Sequence, residues 1–190
     1  MSKKLKIGFD LDGVILYNPI RFLRLFAKSI KFVKPILFKQ KKAPFYFPKS
    51  NLEKYIWKLL HKTSYRLNDG FFELADLIRS KKIEAFIITG RYGLLETDFK
   101  KWLNIIDKQK VFKKNFVNKN NMQPNEFKRK IINELKLDYY VEDNWDIVEK
   151  LDHHTKAKIL WITNFLDKRI IYPYKFNSLK EIVNYLYENI

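Results

Sequence analysis

From residue 71 onward the chain alternates between two hydrophobic periods, and that alternation restricts its fold more than any other feature. FFELADLIRSKK spaces Phe72, Ala75, Leu77 and Ile78 as a helix does. IEAFIITG follows, short and β-branched, as a buried strand. ETDFKKWLNII is helical again, with Phe99, Leu103 and Ile106 on one face, and FKKNFVN reads as a strand. EFKRKIINELKL is an amphipathic helix built on Phe127, Ile131, Ile132 and Leu135. DYYVED and KILWITN are strands on either side of the short helix DIVEKLDHH. SLKEIVNYLYENI closes as a helix, with Ser178 its N-cap and Glu181 completing a capping box. Strands that alternate with helices join by right-handed crossovers into a parallel sheet covered on both faces. The predicted fold class is therefore α/β: a Rossmann-like parallel sheet with helices on both faces.

The first strand is KIGF, within KIGFDLDGVI at residues 6–15. Residues 17–69 then break the rhythm. NPIRFLRLFAKSIKFVKP and NLEKYIWKLLHK read as two helices flanking the Pro-bounded loop KQKKAPFYFPKSN. The predicted organisation is a core from residues 1–16 and 70–190, with residues 17–69 as a small helical cap inserted after the first strand. In the first of those helices Arg21, Arg24, Lys28, Lys31 and Lys34 recur every three or four positions, offset from Phe22, Leu23, Phe26, Ile30 and Val33. Such a helix suits an anionic membrane surface. It equally suits a lid that brings positive charge to a phosphorylated substrate. Its departure from the core beside Asp12 favours the lid.

The net charge is +17, and residues 14–70 hold thirteen Lys and Arg against Glu53 and Asp69, or +11 of that total. A basic segment implies anionic partners, whether phosphate compounds, nucleic acid or acidic lipid; solvated lysines in a Lys-, Asn- and Ile-rich composition are the plainer reading. The chain has no cysteine, which excludes disulfides, thiolate catalysis and Cys-ligated zinc and is compatible with a reducing cytoplasm. Acids interrupt the apolar part of MSKKLKIGFDLDG almost at once, so no signal peptide is read, and no apolar run approaches membrane-span length. The expected location is cytoplasmic.

Ligands of a parallel α/β sheet bind beyond the carboxyl ends of its strands. The residues predicted there are Asp10 and Asp12 after the first strand; Thr89, Gly90 and Arg91 after IEAFII; Lys128 near the start of the helix before DYYVED; and Glu142, Asp143 and Asp146 after DYYV. Each type has a task in phosphoryl transfer. A carboxylate can attack phosphorus and form an aspartyl-phosphate. A second one, two residues on, can protonate the leaving oxygen and later take a proton from water. A hydroxyl and an ammonium neutralise phosphoryl oxygens. Mg²⁺ offsets the repulsion between clustered acids and a dianionic substrate. Each also has a structural alternative. Asp-Gly marks turns, Thr89-Gly90 can simply end a strand, Lys128 within FKRK can lie on a solvated face, and Glu142 and Asp143 can cap the next helix.

In order and position these segments resemble the haloacid dehalogenase (HAD) superfamily of phosphatases. DLDGV resembles its first motif, IITGR its second, the Lys of EFKRKI its third and VEDNWD its fourth, covering residues 5–16 and about 71–165. ITGR, the helix containing Trp102 and NEFK…YYVEDN look most like the 5′-nucleotidase-like branch. The resemblance implies Asp10 as nucleophile, Asp12 as acid/base, Thr89 and Gly90 at the phosphoryl group, and Lys128 bracing it. It implies Mg²⁺ held by Asp10, Asp143 and the backbone carbonyl of Asp12. The family's further acid falls four residues after the motif-four Asp; here Asp146 follows after three, and Glu142 is the other candidate for that role. Arg91 is a further candidate beside Thr89.

The implied function is a Mg²⁺-dependent phosphomonoester hydrolase, 5′-nucleotidase-like, acting on a small phosphorylated substrate such as a nucleotide, with no stable membrane or nucleic-acid partner. A sugar-phosphate or other metabolite phosphatase would use the same residues. The other class is a basic membrane- or nucleic-acid-binding protein with a vestigial site, which the complete motif set disfavours. His61, His153 and His154 are too few and scattered for zinc, with His153 and His154 expected at a helix end. Trp161 is expected in the core of the last strand, and Trp145 beside the site.

Overall fold

The computed structural model describes residues 4–19, 45, 47–62, 64, 66–106, 108 and 111–189. Strand β1 is Leu5–Phe9, and β2 is Leu16–Tyr17. Helix α1 spans Asn51–His61, β3 Arg66–Leu67 and α2 Phe71–Arg79. Then come β4, Ile83–Tyr92; α3, Glu96–Ile106; β5, Lys114–Asn118; and α4, Pro124–Leu135. The remainder is β6, Tyr139–Glu142; α5, Trp145–Asp152; β7, Lys158–Ile162; β8, Lys175–Phe176; and α6, Leu179–Glu188.

Six strands form one parallel sheet in the order β5-β4-β1-β6-β7-β8. Alternation along the strands divides the core in two. Ile83, Ala85 and Ile87 of β4 pack with Val141 and Leu160 against α2, α3 and α6. Phe86 and Ile88 pack with Tyr140, Ile159 and Trp161 against α4 and α5. Both faces are thus covered, as the near-continuous apolar strands require. β1 lies in the middle, paired with β4 on one side and β6 on the other, which puts the segment after Phe9 at the centre of the sheet's carboxyl edge.

Several expected features are altered. The first predicted cap helix lies outside the described residues; the second is α1. The insertion is entered and left through an unpredicted antiparallel ribbon, β2 with β3. Asn68 closes it, its amide N–H bonded to Ile15 O at 2.8 Å and its side chain to Val14 O at 3.1 Å. β4 continues past Gly90 to Tyr92, with a register irregularity against β5 between Thr89 and Tyr92. KILWITN is not the last strand, since β8 pairs outside it. Trp161 is fully buried there, as expected. Trp145 packs its ring, tilted, against Trp161 at 4.6 Å and meets Tyr172 at 5.6 Å, and Trp161 in turn donates its indole N–H to Asp143 O at 3.3 Å. His153 caps the end of α5. Ser178 does cap α6, accepting from Glu181 N, while the Glu181 carboxylate accepts from Asn177 N. Among the described residues no helix is long and apolar enough to cross a membrane.

Candidate active site

Asp10 follows β1 directly, its amide donating to Val141 O at 3.0 Å. Lys128, in the second turn of α4, is 2% exposed and reaches Asp10 Oδ2 at 3.0 Å and Glu142 Oε2 at 2.7 Å. A lysine on a solvated face would do neither. Its neighbour Lys130 is that solvated residue, with a 57% exposed side chain. Pro124 begins α4 and crosses close to Gly90, where a Cβ would stand 2.9 Å from Pro124 Cβ and 3.4 Å from Lys128 Cε. Gly90 therefore lets helix and strand approach until the ammonium reaches the acids. Thr89 is buried, and its hydroxyl oxygen accepts from Arg91 N at 3.2 Å, a bond that leaves the hydroxyl proton to be donated.

Asp10, Glu142 and Asp143 bring carboxylate oxygens within 4.8 Å of one another. Asp143 presses on the turn after β1. Gly13 has φ 79°, and a Cβ there would collide with the Asp143 carboxylate. DLDG thus needs its glycine twice, for a left-handed backbone and for room. Burial pushes the Asp10 carboxyl well above the ordinary carboxylate range; the Lys128 ammonium opposes this, while the Glu142, Asp143 and Asp12 carboxylates add to it. Burial also works against the Lys128 ammonium, but Asp10 and Glu142 outweigh it and hold the proton more firmly than on an ordinary lysine.

The cluster passes a simple test for Mg²⁺. Its donors are hard carboxylate oxygens, the type this cation takes. Asp10 Oδ1 is buried and has no hydrogen-bond partner, a costly arrangement unless a cation neutralises it. Asp10, Asp143 and Glu142 are the residues whose carboxylates could hold the ion. Asp146 lies on the first turn of α5, its amide donating to the N-cap side chain of Asn144 at 3.1 Å. Glu142 also accepts from Asn144 N at 3.2 Å, so the capping alternative holds for it in part.

Asp12 points elsewhere. Arg91 grips it with two hydrogen bonds of 2.7 Å, Nε to Oδ2 and Nη2 to Oδ1, and spends its third nitrogen on Asp98 of α3 at 2.5 Å. Ser64 Oγ donates to Asp12 Oδ1 at 2.8 Å, and His61 Nδ1 lies 3.5 Å from Oδ2. Burial alone would raise the Asp12 carboxyl, but the Arg91 guanidinium outweighs it and holds the group well below the usual range. With its carboxylate so engaged, Asp12 can serve a cation only through its backbone carbonyl. Sequence reasoning missed His61, Ser64 and Asp98. They lie 49, 52 and 86 positions from Asp12 along the chain, and nothing in their local patterns marks them.

A cavity of about 1010 Å³ opens at the opposite edge of the sheet beside Leu5, Tyr139 and Lys158. Size does not locate the chemistry here; the converging charges do.

No protein-family model matches the sequence, and no curated protein matches it. Solved structures do. A candidate β-phosphoglucomutase from Thermotoga maritima superposes with TM-score 0.59 at 16% identity, over 98% of this chain and 100% of that one. CbbY from Rhodobacter sphaeroides, in complex with phosphate, gives 0.58 at 12% over 95% and 96%. A HAD-superfamily hydrolase from Ehrlichia chaffeensis gives 0.53 at 17% over 98% of both. The chain has the HAD fold. That likeness supports the superfamily resemblance seen in the four motifs. It does not distinguish the 5′-nucleotidase-like branch, since none of these neighbours is described as a nucleotidase.

Proposed function

We propose that the protein is a phosphomonoester hydrolase working through an aspartyl-phosphate on Asp10. The observation that carries this reading is the convergence of Asp10, Lys128, Thr89 and Asp143 on the sheet's carboxyl edge, with one Asp10 oxygen buried and unpartnered. Asp10 attacks phosphorus; the bond from phosphorus to the leaving oxygen breaks, and that oxygen takes a proton, which Asp12 can pass on only after taking one up from solvent, since Arg91 holds its carboxyl ionised in the resting site. Water then attacks the phosphorus of phospho-Asp10, Asp12 takes its proton, and phosphate leaves with the Asp10 carboxylate restored. Lys128 and the Thr89 hydroxyl steady the phosphoryl oxygens, and Glu142 holds Lys128 in place. Mg²⁺ would supply positive charge between the nucleophile and the dianionic phosphoryl group.

The finer assignment is a 5′-nucleotidase-like enzyme acting in the cytoplasm, supported by the ITGR and NEFK…YYVEDN stretches, with residues 17–69 as its cap. A sugar-phosphate substrate is the second reading, favoured by likeness to CbbY, one structure of which holds xylulose-1,5-bisphosphate. Phosphate release should be measured over p-nitrophenyl phosphate, nucleoside 5′-monophosphates and sugar phosphates, with Mg²⁺ and with chelator. Metal-dependent release from a nucleotide, in preference to sugar phosphates, supports the first assignment. The opposite preference supports the second, and no release from any ester refutes both.

A further inference from the structure

Asp12 is gripped from two directions that belong to different parts of the chain. From the sheet comes the Arg91 fork, itself braced by Asp98. From the insertion come His61, the last residue of α1, and Ser64, in the turn that follows. Ser64 is almost fully buried, and His61 Nδ1 is buried with no hydrogen-bond partner, its approach to Asp12 being electrostatic. One face of α1 is open, with Leu52, Tyr55, Ile56 and Leu59 all exposed. Its polar carboxyl end meets a buried carboxylate. Hydrogen bonds to an ionised carboxylate are roughly twice as strong as neutral ones.

We infer that His61 and Ser64 are positioning residues, and that the turn after α1 docks on Asp12 so that the place of α1 and the aim of Asp12 are fixed together. Asp12's part in proton transfer rests on the hydrolase reading above; the docking does not. A carboxylate held on three sides cannot swing while the turn stays in place, and when the turn lifts the carboxylate keeps only the Arg91 fork. Proton transfer tolerates errors of only about half an ångström in such a group. The insertion thereby acts on the rate of the chemistry, whatever it contributes to binding.

Two measurements decide the matter. The first is hydrogen exchange of the α1 amides in chelator, without substrate. Asp12→Asn and Ser64→Ala should each speed exchange across residues 51–61 by about tenfold, as expected for loss of a charge-assisted bond, while Asp10→Asn should leave it alone. The second is kinetics on p-nitrophenyl phosphate with Mg²⁺. Ser64→Ala and His61→Ala should lower kcat by about tenfold with KM within about twofold, and Ser64→Thr, which keeps the hydroxyl, should restore most of the rate. Unchanged α1 exchange in Asp12→Asn overturns the docking. Unchanged kcat in both alanine variants overturns the positioning role. If the wild-type protein releases no phosphate from any ester, the hydrolase reading falls, and exchange still decides the docking.

Discussion

Lys128→Met should be among the most destabilising single changes in the chain, and its cost can be worked from the site. The ammonium is buried between Glu142, fully buried, at 2.7 Å and Asp10 at 3.0 Å. Methionine has nearly the same shape, so little packing is lost. What remains is two buried carboxylates without their counter-charge, a loss of about 3–5 kcal/mol. Lys130→Met on the same helix is the control. Its exposed side chain meets Glu134 at 3.8 Å, an arrangement worth about 0–0.5 kcal/mol. For a domain of this size each kcal/mol moves Tm by about 2–4 °C, so Lys128→Met should melt roughly 6–20 °C lower in chelator, and Lys130→Met within about 2 °C of wild type. The deficit has a pH signature. Without the ammonium, the Asp10 carboxyl, already pushed up by burial, loses the charge that opposes the rise, so the penalty is absent below about pH 4 and grows as pH rises through its folded pKa. Circular-dichroism melts from pH 8 down to pH 5 should show the two proteins converging. Lys128→Met/Glu142→Gln should recover more than half of the loss. A Lys128→Met deficit below about 1 kcal/mol, or one that does not change with pH, refutes the charge argument.

Asp10→Asn should abolish turnover yet melt higher than wild type in chelator at neutral pH. Burial holds the wild-type carboxyl's pKa up, so its ionisation costs stability above that pKa, and the variant's advantage should fade as pH falls toward about 4. Residual activity in the pure variant, or a lower Tm at pH 7, refutes the account of Asp10. Mg²⁺ should raise the wild-type Tm progressively, by the equivalent of about 2.7 kcal/mol at a hundred times its Kd, and Asp143→Ala should need far more metal for the same shift. Superimposable titrations would exclude Asp143 as a ligand. Gly13→Ala should cost at least about 1–2 kcal/mol for its left-handed backbone, and should weaken the Mg²⁺ response as the new Cβ displaces Asp143. Urea unfolding with and without metal measures both, and a midpoint equal to wild type contradicts the geometry.

The sheet was legible in the sequence because its strands and helices carry their periods locally. Phe127, Ile131 and Ile132 mark a helix wherever it sits, and IEAFII marks a buried strand. The carboxyl-edge residues were legible for a related reason: in a parallel sheet, position along a strand is position in space. What escaped notice was short or distant. β2, β3 and β8 have two residues each, too few to show a period. The added length of β4 depends on a register irregularity against β5, which only pairing reveals. The burial of Lys128 could not be separated from the exposure of Lys130 until α4 was laid against β4. His61 and Ser64 reach Asp12 only because the insertion returns to its own starting point, and sequence spacing carries no trace of that.

Charge explains why the chemistry is easier to read than the substrate. In and around Asp10 the described side chains supply five acids, Asp10, Asp12, Asp98, Glu142 and Asp143, against two permanent cations, Lys128 and Arg91. Both cations are already committed to acids at 2.5–3.0 Å. Such a site repels a phosphate dianion until positive charge arrives from elsewhere. A divalent cation among Asp10, Glu142 and Asp143 supplies part of it. On the hydrolase proposal, the rest would come from residues 14–70, whose sequence has thirteen Lys and Arg against two acids. On the same proposal, the high net charge of the sequence would be the counterweight to the acids around Asp10.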